Sequence, residues 1–229
     1  MYIYGKNVCK EIILNDRNIK KAYVYNNFND NEIINKLSKK CKIEYKDKFQ
    51  LDKIVDGNHQ GIILEVDDYK YYDIDEFIDG DNLVVILDHI EDPHNFGAII
   101  RTCEAAGVSG IIIPKDRSCE VNSTVMKVSV GTLDKLPIAQ VTNLTQTINY
   151  LKKKGYWLVG TDMNGTDYSK IDYKGKMAIV IGNEGKGMSR LVTENCDFIA
   201  SIPMNGEVNS LNASVAAGIV IFEAVKNRR

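Results

Sequence analysis

Three short segments of this chain gather polar side chains at spacings that folding alone does not require. The first runs from Asp88 through His89, Ile90, Glu91, Asp92, Pro93, His94, Asn95 and Phe96 to Arg101. It leaves a continuous apolar run, turns at Pro93 and enters a helical pattern. Phe96, Ile99, Ile100 and Cys103 share one helical stripe, which turns Arg101 to another face. An arginine so placed either meets an outside anion or pairs with Glu104 at i+3 for roughly 0.2–0.5 kcal/mol, and on these residues alone the ion pair is the simpler reading. The second segment is Gly182-Asn183-Glu184-Gly185-Lys186-Gly187, again after an apolar run. Its glycines suit a plain turn as well as a loop that lets backbone approach a ligand, but a turn does not need the acid Glu184 between them. Neither a Walker A loop nor GxGxxG is present, which ranks a dinucleotide oxidoreductase last. The third segment opens the last helical pattern. Asn209 and Ser210 can cap that helix, yet Asn209, Ser210 and Asn212 together exceed what one cap needs. His89 and His94 lack both helical spacing and a third ligand, so no metal is expected.

The elements around these segments read as alternating strands and helices. Leu83–Leu87 is apolar throughout, as a strand buried on both faces requires. A helix over about 96–106 stops at Gly107. Further strands are expected at 111–113, 137–141, 157–159, 178–181 and 198–202, with helices near 124–130, 144–153 and 211–226. In the last helix Leu211, Val215, Ile219 and Phe222 form the apolar stripe, and Ala213, Ala216, Ala217 and Gly218 permit close packing. This alternation implies a mostly parallel sheet covered on both sides, whose ligands bind beyond the carboxyl ends of the strands. Before residue 67 a smaller α/β region is expected, with strands at 22–25, 43–45 and 62–66 and a helix over 32–40.

The 229 residues carry a net charge of −2, which argues against phosphate binding until its distribution is considered. Residues 1–66 hold 12 basic and 9 acidic side chains, residues 67–81 hold 1 and 7, and residues 82–229 hold 16 and 15. The acidic excess is confined to 67–81, which reads as an extended, self-repelling linker between domains 1–66 and 82–229. The first domain is then expected to be separable by deletion. The five scattered cysteines, the lack of a CxxC pair, the lack of a long apolar run and an N-terminus without a signal peptide's core together predict a reduced, cytoplasmic chain.

Taken together and in this order, the three segments resemble the signature motifs of the SpoU/TrmH RNA 2′-O-methyltransferases of the SPOUT superfamily, over about residues 83–225. Asn209, where serine is common, is a mild departure. Ile3-Tyr4-Gly5, Gly57-Asn58-His59-Gln60-Gly61 and Pro114-Lys115-Asp116-Arg117-Ser118 extend the resemblance to the bacterial 23S rRNA guanosine 2′-O-methyltransferases. The resemblance implies an α/β fold with a C-terminal trefoil-knotted methyltransferase domain and a small N-terminal α/β domain similar to ribosomal protein L30e that binds RNA. It implies S-adenosylmethionine as cofactor, held by Thr161, Gly182, Ile202 and Leu211. It also implies a homodimer and catalytic roles for Asn95, Arg101, Glu184, Ser210 and Asn212. The implied substrate is a guanosine of 23S rRNA, of the peptidyl-transferase P-loop type. The alternatives are a tRNA ribose or an RNA-binding protein without catalysis.

Overall fold

Residues of Ile19–Tyr25 alternate between buried and solvent-facing, and this strand holds together the first of two compact units. The computed structural model describes residues 1–15, 17–80, 82–129, 131–208 and 210–228. The first unit comprises residues 1–70 and 121–134, the second 71–120 and 135–229. In the first, β1 (Tyr2–Tyr4), α1 (Lys6–Leu14), β2 (Ile19–Tyr25), α2 (Asn31–Leu37), β3 (Lys42–Lys46), α3 (Lys48–Asp52) and β4 (Ile62–Val66) follow one another. Their sheet has the order β1-β4-β2-β3, with β2 parallel to β3 and antiparallel to β4. Helix α1, whose short pattern the sequence reading passed over, buries Val8, Cys9, Ile12 and Ile13. Asp30 caps α2, accepting from the Ile33 amide at 3.2 Å, and Asp47 with Gln50 closes a capping box on α3.

The chain then runs through β5 (Leu83–Asp88), α4 (Pro93–Ala106), β6 (Gly110–Pro114), α5 (Ser123–Ser129), β7 (Ile138–Val141), α6 (Leu144–Lys153), β8 (Trp157–Asp167), β9 (Met177–Gly182), α7 (Arg190–Glu194), β10 (Phe198–Ser201) and α8 (Ala213–Asn227). Six of these strands form a parallel sheet in the order β10-β8-β9-β5-β6-β7. Every residue of β5 is buried, as expected of a strand covered on both faces. Val84, Ile86, Ile112, Leu158, Ala178 and Val180 centre the core. Helix α4 ends at Gly107, which takes the left-handed conformation at φ 75°.

Three expectations differ from the structure. Residues 71–80 are not a bare linker. The Tyr72 amide bonds the Ile138 carbonyl at 2.9 Å, and Phe77 and Ile78 are buried. The acids are engaged rather than mutually repelling: Asp67 pairs with Lys20 at 2.9 Å, Asp68 with the N-terminal ammonium at 2.9 Å, and Asp73 caps the turn Ile74–Glu76. Asp81 lies outside the described residues. Second, residues 121–134, expected within the second domain, fold into the first unit, where Val125, Met126 and Leu133 are buried and Arg17 reaches Asp134 at 3.5 Å; Val130 is outside the described residues. Third, α8 buries Ala213, Ala217, Val220, Ile221 and Ala224, while Val215 and Phe222 of the expected stripe are 50% and 51% exposed. Small residues win the inner face because α8 packs closely on α4, with Gly218 beside Thr102.

Among the described residues no helix is long and apolar enough to cross a membrane, and no cluster of three or more His, Cys, Asp or Glu could hold a metal. All five cysteines are free.

Because 121–134 completes the first unit, deletion of residues 1–66 should uncover Val125, Met126 and Leu133. Limited proteolysis of that truncated chain should cut within 121–134 well before the full-length protein is cut there. A truncation as resistant as the intact chain would show that this segment needs no cover from residues 1–66.

Candidate active site at the carboxyl ends of the strands

Helix α4 starts where β5 ends because Asp92 caps it, accepting from the His94 amide at 2.9 Å, and Pro93 occupies its first turn. This puts Asn95 in the first turn, 6% exposed. Its Nδ2 donates to Glu184 Oε1 at 2.5 Å, and its Oδ1 accepts from Asn212 Nδ2 at 2.9 Å. Asn212 is itself the cap of α8: its Oδ1 accepts from the Ser214 and Val215 amides at 2.9 and 3.4 Å. One side chain from each of the three polar segments thus joins a single relay, Glu184–Asn95–Asn212. The cap expected at Asn209 or Ser210 is Asn212 instead. Ser210 is exposed and makes no hydrogen bond among the described residues, and Asn209 lies outside them.

Two residues that the sequence reading missed hold the glycine loop against β5. Asp88, 1% exposed, accepts from the Ser189 amide at 2.6 Å and lies 2.5 Å from His89 Nδ1. Asn183 donates to the His89 carbonyl at 2.8 Å and accepts from the Gly185 and Lys186 amides at 3.0 and 3.2 Å. The signal for Asp88 was an acid closing an otherwise apolar strand, which must find donors when buried. At Gly182 a Cβ would collide with the backbone of Gly187 and Met188, so here glycine is required by close approach rather than by a turn.

Arg101 lies further along α4, exposed and outside the relay. The anticipated pair with Glu104 does not form, since Glu104 faces Lys135 at 3.9 Å; among the described residues Arg101 has no ion pair. Gly182 and Ile202 lie at or just beyond the carboxyl ends of β9 and β10, Thr161 lies within β8 one residue past its last pairing with β9 at Gly160, and Leu211 precedes α8. The β8–β10 register jumps from Gly160↔Ile199 to Thr166↔Ala200, so residues 161–165 arch away from their neighbour. Thr161 is anchored by its hydroxyl on the Val180 carbonyl at 3.0 Å, and Met163 is 62% exposed. Ile202 and Leu211 are half-buried, and among the described residues their backbones make no hydrogen bond to another backbone. Half-buried backbone groups without a backbone partner are available to hydrogen-bond a ligand's polar edge.

The SpoU rRNA Methylase family model matches residues 82–222, and a model for RNA 2′-O ribose methyltransferase substrate binding matches residues 2–72. A Staphylococcus saprophyticus protein assigned to the TrmH family of tRNA/rRNA methyltransferases is 44% identical over 237 aligned positions, covering 99% of this chain and 95% of that relative. Among solved structures, the SpoU methyltransferase AviRb of Streptomyces viridochromogenes with AdoMet superposes with a TM-score of 0.87 at 24% identity, covering 99% of this chain and 89% of that one. An AdoMet-bound rRNA methyltransferase of Sinorhizobium meliloti gives 0.80 at 26% identity, covering 98% and 86%.

Replacing Asn212 with alanine should remove both the helix cap and the link to Asn95, at a cost of about 1–2 kcal/mol. Asn212→Ser keeps a cap acceptor and loses only the reach to Asn95, so it should retain more of the stability than the alanine variant. Urea denaturation checks the pair; equal losses would mean that capping contributes little.

Proposed function

Because this chain belongs to the SpoU/TrmH family of RNA 2′-O-ribose methyltransferases, we propose that it transfers a methyl group from S-adenosylmethionine to the ribose 2′-hydroxyl of a guanosine in 23S rRNA. Its fold is the knotted α/β fold of the SpoU methyltransferases, preceded by a substrate-binding domain. The observation that carries the reading is the Glu184–Asn95–Asn212 relay, which ties three distant polar segments into one site. The match of residues 2–72 to a substrate-binding model supports an RNA substrate, and the likeness of nearly the whole chain to an rRNA methyltransferase is the support for rRNA. The tRNA/rRNA assignment of the staphylococcal relative supports a tRNA ribose equally, as the second reading.

S-adenosylmethionine, when bound, supplies an electrophilic methyl group on a sulfonium. Thr161, Gly182, Ile202 and Leu211 are the residues that would hold it. The chain's own part is to orient the ribose and to favour loss of the hydroxyl proton. Asn95, buried and bonded at both ends, positions its two partners rather than acting as a base. Glu184 has Oε1 engaged by Asn95 and keeps Oε2 as an acceptor for a ribose hydroxyl. Ser210, exposed beside the mouth of α8, orients the sugar. Arg101 serves as a cation rather than as a base, as a guanidinium does. It stabilises the substrate phosphate or the developing 2′-oxyanion, while the proton passes to phosphate or water. Asn95, Arg101, Glu184, Ser210 and Asn212 are all assigned here to substrate or to its positioning.

The exposed stripe of Val215 and Phe222 on α8 supports a homodimer, because large apolar side chains on a well-packed helix call for a partner surface. We assign Arg101 of one subunit to the cofactor site of the other.

Labelled methyl transfer to 23S rRNA and to tRNA transcripts, followed by mapping of the modified ribose, tests the substrate. Methylation of tRNA alone would select the second reading, and cofactor binding without transfer to either RNA would indicate a protein that has lost catalysis. Arg101→Ala should lower transfer by about 100-fold or more while cofactor affinity stays within about twofold. Mixing Arg101→Ala with Gly182→Trp subunits should restore about a quarter of wild-type activity, since about half of the dimers then carry one intact site. Background activity in mixed dimers verified by mass would show that each subunit builds its site alone.

A further inference from the structure

Among the described residues three non-glycine residues adopt left-handed φ: Gln60 at 51°, His89 at 61° and Arg117 at 50°. A Cβ disfavours this region, so each residue type there needs a reason. For Gln60 the reason is its Oε1, which accepts from the Lys6 amide at 2.7 Å as α1 begins. His89 has its ring against Asp88 and its carbonyl bonded by Asn183. Arg117 has no such partner: its side chain is exposed and makes no hydrogen bond, ion pair or ring contact among the described residues. Glycine or asparagine would take the same backbone with less strain.

The turn is nevertheless firmly held. On one side the Lys115 amide donates to the Val141 carbonyl at 2.8 Å. On the other, the Cys119 amide and the Ser118 hydroxyl both donate to the Ile90 carbonyl, at 2.8 and 3.3 Å. Ile90 lies in the same segment as Asp88 and Asn95, so the turn is fixed to the backbone that carries the relay. Lys115 is exposed too and has no ion pair among the described residues. It borders an open cleft of about 420 Å³ with Gln140, Asn143, Gln146 and Tyr150, beyond the ends of β6 and β7. Asp116, between the two cations, leaves the turn with a net charge of +1.

We propose that Lys115 and Arg117 form a phosphate-binding pair that holds the sugar–phosphate backbone of the substrate RNA next to the nucleotide being methylated. This rests on the reading of the substrate as RNA. A rigid turn presenting one forked guanidinium and one ammonium, neither neutralised by the protein, suits phosphate oxygens. The neighbouring polar cleft gives the adjoining sugar hydrogen-bonding groups. Such contacts set register without reading sequence.

Nitrocellulose filter binding of a labelled 23S rRNA transcript over a salt series tests the pair without requiring turnover. Arg117→Gly should bind about tenfold or more weakly, the worth of one charge-assisted contact, and the slope of log affinity against log salt should flatten by about 1. Arg117→Lys should recover part of the affinity, and Lys115→Ala should flatten the slope similarly. Thermal melting and cofactor affinity of Arg117→Gly should match wild type, since glycine suits this backbone. Wild-type RNA affinity and salt slope in Arg117→Gly would overturn the pair, as would a loss of affinity in that variant with an unchanged slope. RNA binding that behaves as expected, without methyl transfer by the wild-type protein, would sink the proposed activity and leave the pair standing. Failure of the wild-type protein to bind RNA would overturn both.

Discussion

A buried amide can be kept only if its hydrogen-bonding groups are satisfied, and that requirement at Asn95 organises the site. Leaving such a group unpaired costs about 1–3 kcal/mol. Asn95 meets it with Glu184 on one side and Asn212 on the other, partners 89 and 117 residues away in the chain. Asn212 can serve because its two ends do different work: the oxygen caps α8 and the nitrogen reaches Asn95. The start of α4, the glycine loop after β9 and the start of α8 are therefore fixed by one set of bonds, and displacing any one would strand the others.

The sheet makes this economical. Parallel strands deliver all their carboxyl ends to one edge, and the register pairs Asp88 of β5 directly with Gly182 of β9. From there Asp88 and Asn183 need reach only across a turn to hold the loop. The close approach at Gly182 serves the same end by letting the loop fold back on its own backbone. Of the proposed cofactor residues, Thr161, Gly182 and Ile202 belong to β8, β9 and the residue after β10, and Leu211 precedes α8, so the end of β9 contributes to both halves of the site.

Much of this was legible in the sequence. Leu83–Leu87 reads as a strand buried on both faces, and Gly107 marked the end of α4. Of the five residues that the family resemblance grouped, Asn95, Glu184 and Asn212 are joined by hydrogen bonds, and Arg101 and Ser210 lie outside that relay. Three things were not legible, each for a physical reason. The inner face of α8 was misjudged because the helix is apolar nearly all round, so periodicity cannot separate the side that needs small residues to meet α4 from the side with Val215 and Phe222. The acids of 67–80 looked repulsive because their partners, Lys20 and the N-terminal ammonium, are far away in sequence. The cap of α8 was set two or three residues early because Asn209, Ser210 and Asn212 are all good cap residues, and only the tertiary link to Asn95 chooses among them.

If Glu184, Asn95 and Asn212 act as one unit, their contributions to methyl transfer cannot multiply. The direct measurement is the single-turnover rate of the three single alanine variants and of the triple variant, at saturating cofactor and RNA. The relay predicts that each single change lowers the rate to nearly the level of the triple variant, because breaking one link disables the rest. Losses that multiply from the single variants to the triple one would show three independent residues and contradict the account.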